Sequence, residues 1–278
     1  MSRMTWEHAV RWYRDQPDHE AEIRNNYFDL PVLRAAERYA CGEEFAEVLR
    51  LLGPGNERRI LEPGAGNGIA SFALANNGWL VTALEPDDSQ EVGAGAIREI
   101  VAQTGLPITA IEEFGEKLAF ADASFDAIYA RQVLHHASDL ELMVQELARV
   151  LRRGGLWLST REHVADDEQQ LLTFRDEHPL HKLYGGENAY PLDRYLQSFR
   201  SAGLRIKETW GPLESILNFF PGTERDRQIS LRQVANHSYL RLGRVLGWSN
   251  RFKKTQVRRH TLRDRTPGRL YSFLLEKP

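Results

Sequence analysis

An apolar run, Ile60-Leu61, passes through Glu62-Pro63 into Gly64-Ala65-Gly66-Asn67-Gly68 and continues as Ile69-Ala70. Glycines at alternate positions admit positive φ values and carry no side chain, so the backbone there can approach a ligand closely. A strand that runs into such a turn and opens a helix is the start of a βαβ unit built around a bound molecule. From residue 58 to 161 the same alternation recurs: apolar runs that read as strands at Arg59 to Glu62, Leu80 to Glu85, Ile108 to Glu112, Asp126 to Arg131 and Leu156 to Thr160 are separated by helical patterns. Alternation of this kind predicts a mostly parallel, doubly wound α/β sheet.

Helices are expected at Met4 to Arg14, Pro31 to Leu52 and Ser138 to Arg152, the last capped by Ser138 and ended by Gly154-Gly155. The chain therefore divides into an N-terminal helical cover (1–57), a core (58–163) and an acceptor-side remainder (164–278). In that remainder, His178-Pro179 and Gly185-Gly186 mark Val164 to Tyr190 as a loop-rich insertion. A helix at Leu192 to Ala202 and strands at Leu204 to Trp210 and Leu270 to Leu275 follow, bringing the sheet to seven strands. The connection between the last two is far longer than strands ordinarily need and reads as a helical insertion before the last strand.

Composition narrows the partners. Of 278 residues, 42% are hydrophobic, enough to build a core, and 36 basic against 39 acidic residues leave a formal charge of -3 that recruits neither nucleic acid nor an anionic membrane globally. Cys41 is the single cysteine, which excludes an intramolecular disulfide and a cysteine metal cage and fits a reducing cytoplasm. No uninterrupted apolar run approaches the length of a membrane span, so a soluble protein is expected, with peripheral membrane contact left open.

Glu85 closes the second strand, where a carboxylate can accept hydrogen bonds from both hydroxyls of a ribose. A nicotinamide dinucleotide would also suit that arrangement, but its third fingerprint glycine would fall on Ile69. Glu62, just before the loop, would repel a pyrophosphate and pair with a cationic amine or sulfonium. The ligand is therefore nucleoside-like and partly cationic.

At these residues the chain resembles the class I S-adenosylmethionine-dependent methyltransferases, in particular the group similar to ubiquinone-biosynthesis methyltransferases. The resemblance covers about residues 58 to 161. Glu62-Pro63-Gly64-Ala65-Gly66-Asn67-Gly68 is similar to the motif that holds the methionine part of the cofactor, and Glu85 to the acidic residue that clasps the ribose. Phe125-Asp126-Ala127-Ile128 resembles the fourth strand, with Gln132-Val133-Leu134-His135-His136 at its carboxyl end, and Glu146 to Gly155 resembles the helix and turn that lead into the fifth. The resemblance implies a Rossmann-like fold and S-adenosylmethionine as cofactor; the carboxyl ends of the strands then place Arg131, Gln132, His135, His136, Arg161, Glu162 and His163 near the methyl group, with Arg131 and His135 expected in the cofactor pocket. One position departs from it. Where many relatives carry an aspartate for the adenine amino group this chain has Phe114, so adenine recognition would rest on the Gly115 amide, Glu116 or stacking by Phe114.

Methyl transfer from a sulfonium is an in-line displacement that needs alignment and dryness more than acid or base. His163, directly after the fifth strand, is the candidate base, and Tyr27, Tyr184 and Tyr190, in polar connecting segments, are candidates for the acceptor pocket. No metal site is expected, because His178 and His181 lack an assignable third ligand. Residues 228–263 contain no acidic residue but nine lysines and arginines: Arg232, Arg241, Arg244, Arg251, Lys253, Lys254, Arg258, Arg259 and Arg263. That stretch is a solvated helical face, a surface for a phosphate-bearing or lipid- or glycan-linked acceptor, or a nucleic-acid contact. The expected activity is methylation of a small-molecule O-, N- or C-nucleophile. The alternatives are a non-catalytic S-adenosylmethionine-binding protein and an RNA methyltransferase using the basic segment.

Overall fold

The computed structural model describes residues 4–238 and 250–278. Seven strands form one sheet: β1 (Arg59–Pro63), β2 (Leu80–Leu84), β3 (Ile108–Ile111), β4 (Phe125–Arg131), β5 (Leu151–Val164), β6 (Arg205–Trp210) and β7 (Arg269–Glu276), in the order β3-β2-β1-β4-β5-β7-β6. The first five pair in parallel, and β7 lies antiparallel between β5 and β6. β1 is flanked by β2 and β4, so the strand order reverses there. A crevice beyond the carboxyl ends of β1 and β4 follows from that topology.

Alternate residues along the strands feed two cores. Ile60, Val81, Ala83, Ala127, Tyr129 and Leu158 point to one, and Leu61, Leu84, Ile128, Ala130, Trp157 and Phe273 to the other. Both faces are covered by helices, which is why the central strands read as nearly continuous apolar runs. The first core packs under α3 (Val32–Ala40), α4 (Glu43–Leu52), α5 (Ile69–Asn76) and α6 (Ala94–Thr104); the second under α7 (Leu140–Val150) and α10 (Leu192–Ser201). Ala35, Ala36 and Tyr39 are wholly buried, so the second half of the N-terminal segment is a layer of the core. Its first half, α1 (Trp6–Arg14) and α2 (Glu20–Asn25), lies over the crevice.

Several boundaries differ from expectation for local reasons. The helix expected over Pro31 to Leu52 is broken at Cys41-Gly42 into α3 and α4. Asp139, not Ser138, caps α7, its carboxylate accepting from the Leu142 amide, and the helix ends at Val150. Gly154 does take a positive φ of 74°, but inside β5, where its N–H donates to the Lys277 carbonyl. The insertion is more regular than expected, because Asp167 caps a ten-residue helix, α8 (Glu168–Glu177), that precedes the single turn α9 (His181–Tyr184). The basic segment forms α11 (Glu224–Ser238) and α12 (Asn250–Arg263), packed together; Arg241 and Arg244 lie outside the described residues. Among the described residues no helix is long and apolar enough to cross a membrane.

Candidate active site

The floor of the crevice is the glycine loop after β1. Gly66 has φ 54°, and a Cβ built there would meet nothing closer than the Val92 carbonyl at 4.0 Å. The absent side chain faces open space in the cleft, the condition for a ligand to lie on the backbone. Gly64 is required for packing instead, since its Cβ would stand 2.8 Å from Val133. Asn67 ties the loop to the cover by donating its side-chain amide to the Tyr27 carbonyl at 2.7 Å.

Two carboxyl groups flank this loop. Glu85 accepts from the Gly66 amide at 2.7 Å and the Asp87 amide at 3.0 Å, so it fixes the loop and the turn after β2 with one lone pair on each oxygen. Burial raises its pKa, against the pull of those two bonds. Glu62 is 3% exposed and accepts from the Ser71 hydroxyl at 2.5 Å. Burial, with Glu85 nearby, pushes it up to about 8. A buried carboxyl group held neutral beside an open backbone cradle becomes a strong anion when a cation arrives.

The other side of the cleft is built at the ends of β4 and β5. Gln132, just past β4, and Arg161, at the irregularity between Ser159 and Glu162 within β5, hold positive φ values of 57° and 61° and bend the chain sharply. Arg131 is committed to Glu44 on α4, through bonds of 2.7 and 3.2 Å, and keeps an edge in the cleft. Glu162, wholly buried, accepts from the Ser159 hydroxyl, the His135 amide and His135 Nδ1, at 2.8, 3.1 and 2.8 Å, clamping the turn after β4 to β5. His163 Nδ1–H donates to the Gly268 carbonyl at 2.8 Å. Burial, and then His135, hold His163 down at about 3; burial likewise keeps His135 well below the ordinary histidine range. Both rings are therefore neutral at physiological pH.

The cover and the insertion close the cleft from above. Trp6 packs on Tyr184, ring centres 4.6 Å apart, and on Phe28 at 5.6 Å. Arg11 and Arg14 on α1 reach Glu91, in the turn after β2, at 3.0 and 2.6 Å. Trp6, Phe28, Val92, Leu180 and Glu187 line the cleft together with Glu62, Gly64 to Asn67, Arg131, His135 and His163.

The other residues singled out by sequence stand elsewhere. Tyr27 is 2% exposed, stacked on Phe220 and edge-on to Tyr39. Tyr190 is buried with its hydroxyl on the Ala137 carbonyl, and Tyr184 donates to Glu187 at 2.5 Å. None of the three rings lines the cleft, because each is used to fix the cover or the insertion in place. Gly68 caps α5 with φ 82°, below the loop. Phe114 is 68% exposed beyond β3, beside the buried Gly115, and Glu116 accepts from the Ser138 amide. Gln132, expected at the end of the fourth strand, lines the cleft, as do Glu187 and His178, which were not foreseen there; the signal available for Glu187 was a lone acid after Gly185-Gly186 in a histidine-bearing loop.

Comparison with known proteins agrees with this geometry. Residues 61–159 match the family described as a methyltransferase domain. An uncharacterized methyltransferase of Bacillus subtilis (strain 168) is 28% identical over 153 residues, covering 50% of this chain and 56% of that protein. The ubiquinone biosynthesis O-methyltransferase of Rhizobium etli (strain CIAT 652) is 27% identical over 176 residues, 62% of this chain and 70% of that protein. The first two curated relatives are matched over about half their length, 56% and 40%. Among solved structures, a geranyl diphosphate methyltransferase in complex with S-adenosylmethionine superposes with a TM-score of 0.59 at 13% identity, over 98% of this chain and 95% of that one, a likeness of fold. Residues 61–159 are thus a methyltransferase domain, of the class I, S-adenosylmethionine-dependent kind.

Proposed function

We propose that the whole protein transfers a methyl group from S-adenosylmethionine to a small-molecule acceptor held in the cleft between the α1 cover and the 164–190 insertion. The observation that carries this reading is the open cradle at Gly66, with Glu62 and Glu85 on one side and a histidine-lined, aromatic-roofed space on the other. In this reading Glu62 takes the cationic part of the cofactor, Glu85 its ribose through the lone pairs it keeps free, and Phe114 with the Gly115 amide the adenine.

The transfer itself forms a bond from the acceptor atom to the methyl carbon while the carbon–sulfur bond breaks, its electron pair staying on sulfur. Positive charge disperses as this happens, so a dry, aligned site is what the protein must supply. Trp6, Phe28 and Leu180 exclude water. The neutral rings of His135 and His163, each held through Nδ1, keep Nε2 lone pairs that can accept a hydrogen bond from an acceptor O–H or N–H and aim it at the methyl group. A phosphate-bearing or lipid- or glycan-linked acceptor has its best support in the basic segment. Yet α12 packs against the 211–214 turn beside β6, three strands from β4, and Arg258 is already paired with Glu214, so the segment stands apart from the cleft for such an acceptor and for nucleic acid alike.

S-adenosylhomocysteine release measured against a metabolite panel tests the proposal. Turnover of at least one small acceptor, abolished in Gly66→Val together with cofactor binding, is the expected result. Cofactor binding without turnover of any acceptor would make the protein a non-catalytic S-adenosylmethionine binder, and wild-type affinity in Gly66→Val would move the cofactor elsewhere.

A further inference from the structure

His135, His163 and Glu187 each bring a ligand-type atom to the same point of the cleft, all three atoms within 4.8 Å of one another. They come from three separate parts of the chain: the turn after β4, the end of β5 and the insertion. What makes the grouping more than proximity is the way each member is held. His135 Nδ1 is bonded to the Glu162 carboxylate at 2.8 Å and His163 Nδ1 to the Gly268 carbonyl at 2.8 Å. A carbonyl can only accept, so His163 carries its proton on Nδ1 and presents a bare Nε2; the Glu162 carboxylate imposes the same tautomer on His135. Glu187 has Oε1 held by the Tyr184 hydroxyl at 2.5 Å, and Oε2 is 3.9 Å from His136 Nε2.

Two bare imine nitrogens and a carboxylate are all acceptors. An electron-poor atom placed among them would be stabilised by all three. Their second contacts, a carboxylate and a backbone carbonyl behind the two imidazoles, are those that orient histidines bound to metals and raise their basicity. Two imidazoles and one carboxylate form a donor set suited to a first-row divalent transition ion, with coordination positions left open. On such an ion neighbouring ligand atoms stand about 3–3.5 Å apart, at bonds of about 2.0–2.1 Å. Closing from 4.8 Å or less to that spacing asks for a shift of the Glu187 side chain and a small tilt of the two rings about their Nδ1 hydrogen bonds.

We propose that His135 Nε2, His163 Nε2 and a Glu187 oxygen bind one divalent transition-metal ion, of which zinc is the type, in open coordination on the acceptor side of the cleft. The absence of a metal expected from sequence came from pairing His178 with His181; the fold instead recruits a histidine from each strand end. If the cleft takes the acceptor as read above, the open position would hold the acceptor's oxygen and favour its deprotonated form, giving His163 the part of a ligand rather than of a base. That second statement rests on the proposed function; metal binding does not.

Cobalt(II) is the probe, since its visible d–d bands report nitrogen and oxygen ligation directly. Titration of chelator-treated protein should show one equivalent bound, with intense bands that zinc displaces. Glu187→Gln and His163→Ala should each weaken cobalt binding tenfold or more, while His260→Gln, on α12, leaves it unchanged. Calorimetric binding of S-adenosylhomocysteine, retained in each variant, certifies the fold. Equal cobalt affinity in the wild type and both cleft variants, or no bound cobalt at micromolar concentrations in folded protein, would overturn the proposal. A wild-type protein that binds cobalt in this way but not S-adenosylhomocysteine would keep the metal site and sink the methyl-transfer reading; the variants' folding would then be followed by circular dichroism.

Discussion

Glu62→Gln separates the charge of the cofactor cradle from its shape. In the free protein Glu62 sits at about 8, because burial opposes its ionisation. At pH 7 roughly nine-tenths of the molecules therefore carry it protonated, and pairing with the cationic cofactor must expel that proton. Calorimetry of S-adenosylhomocysteine in buffers of different ionisation enthalpy should then find about 0.9 more protons released at pH 7 by the wild type than by Glu62→Gln, and about 0.1 more at pH 9. At pH 7 the ligand's own ammonium is protonated both free and bound, so the difference there is that of Glu62 alone. Expelling the proton at pH 7 costs about 1.4 kcal/mol, so wild-type affinity relative to the variant should rise about tenfold from pH 7 to 9. Stability moves in the other direction. The folded pKa lies above the ordinary value of 4.5, so the folded state binds the extra proton between about 4.5 and 8, and this contribution is lost as pH rises through that window. The loss is on the order of 4 to 5 kcal/mol, and Glu62→Gln should be spared it in urea titrations. Identical proton counts and identical pH dependence in the two proteins would refute the reasoning.

Glu85→Ala removes the acceptor of the Gly66 and Asp87 amides as well as that of the ribose hydroxyls, and should weaken S-adenosylhomocysteine by about thirtyfold, on the order of 2 kcal/mol, in the same calorimetry. His163→Ala should lower turnover about a hundredfold with cofactor affinity unchanged. Because burial holds His163 at about 3, the wild-type rate should show no acid limb from this ring near pH 6.5. Trp6→Ala combined with Glu91→Gln removes the ring contact to Tyr184 and both ion pairs to α1; hydrogen exchange should then speed up in residues 6–14 and 180–184, with turnover falling further than cofactor affinity.

The parallel half of the sheet was legible in sequence because its signal is local. Apolar runs such as Ile60-Leu61 and Ala127 to Ala130 are buried on both faces and separated by helices, and Gly66 and Glu85 stand at a spacing that needs no tertiary information to notice. The acceptor side was not legible to the same degree. Tyr27, Tyr184 and Tyr190 were singled out as aromatics in polar segments, but a segment polar in sequence can still be buried by an element far along the chain, as Tyr27 is by Phe220. Glu187 has no periodicity or motif to mark it, and only the fold sets it against His163. The helix at Glu168 to Glu177 was masked by the breakers that follow it, although Asp167 offered a cap.

The two halves of the cleft therefore differ in where their information lies. The contacts that set Glu62, Gly66 and Glu85, through Ser71 and Asp87, join residues inside the matched 61–159 domain, with Asn67 reaching outside it to the Tyr27 carbonyl. The acceptor side depends on residues outside it. Gly268, at the entry to β7, has φ 72° and turns its carbonyl onto His163; a Cβ there would stand 2.2 Å from the Phe174 ring, which itself packs on His163. The last strand, the α8 helix and the end of β5 thus form one unit that sets the His163 ring, and α1 with α9 supplies the roof. A relative sharing only the central domain shares the sequence of the floor, while the cavity above it is made from other sequence. Likeness over the core consequently carries the reaction class and leaves the acceptor to be read from Trp6, His163, Glu187 and their supports.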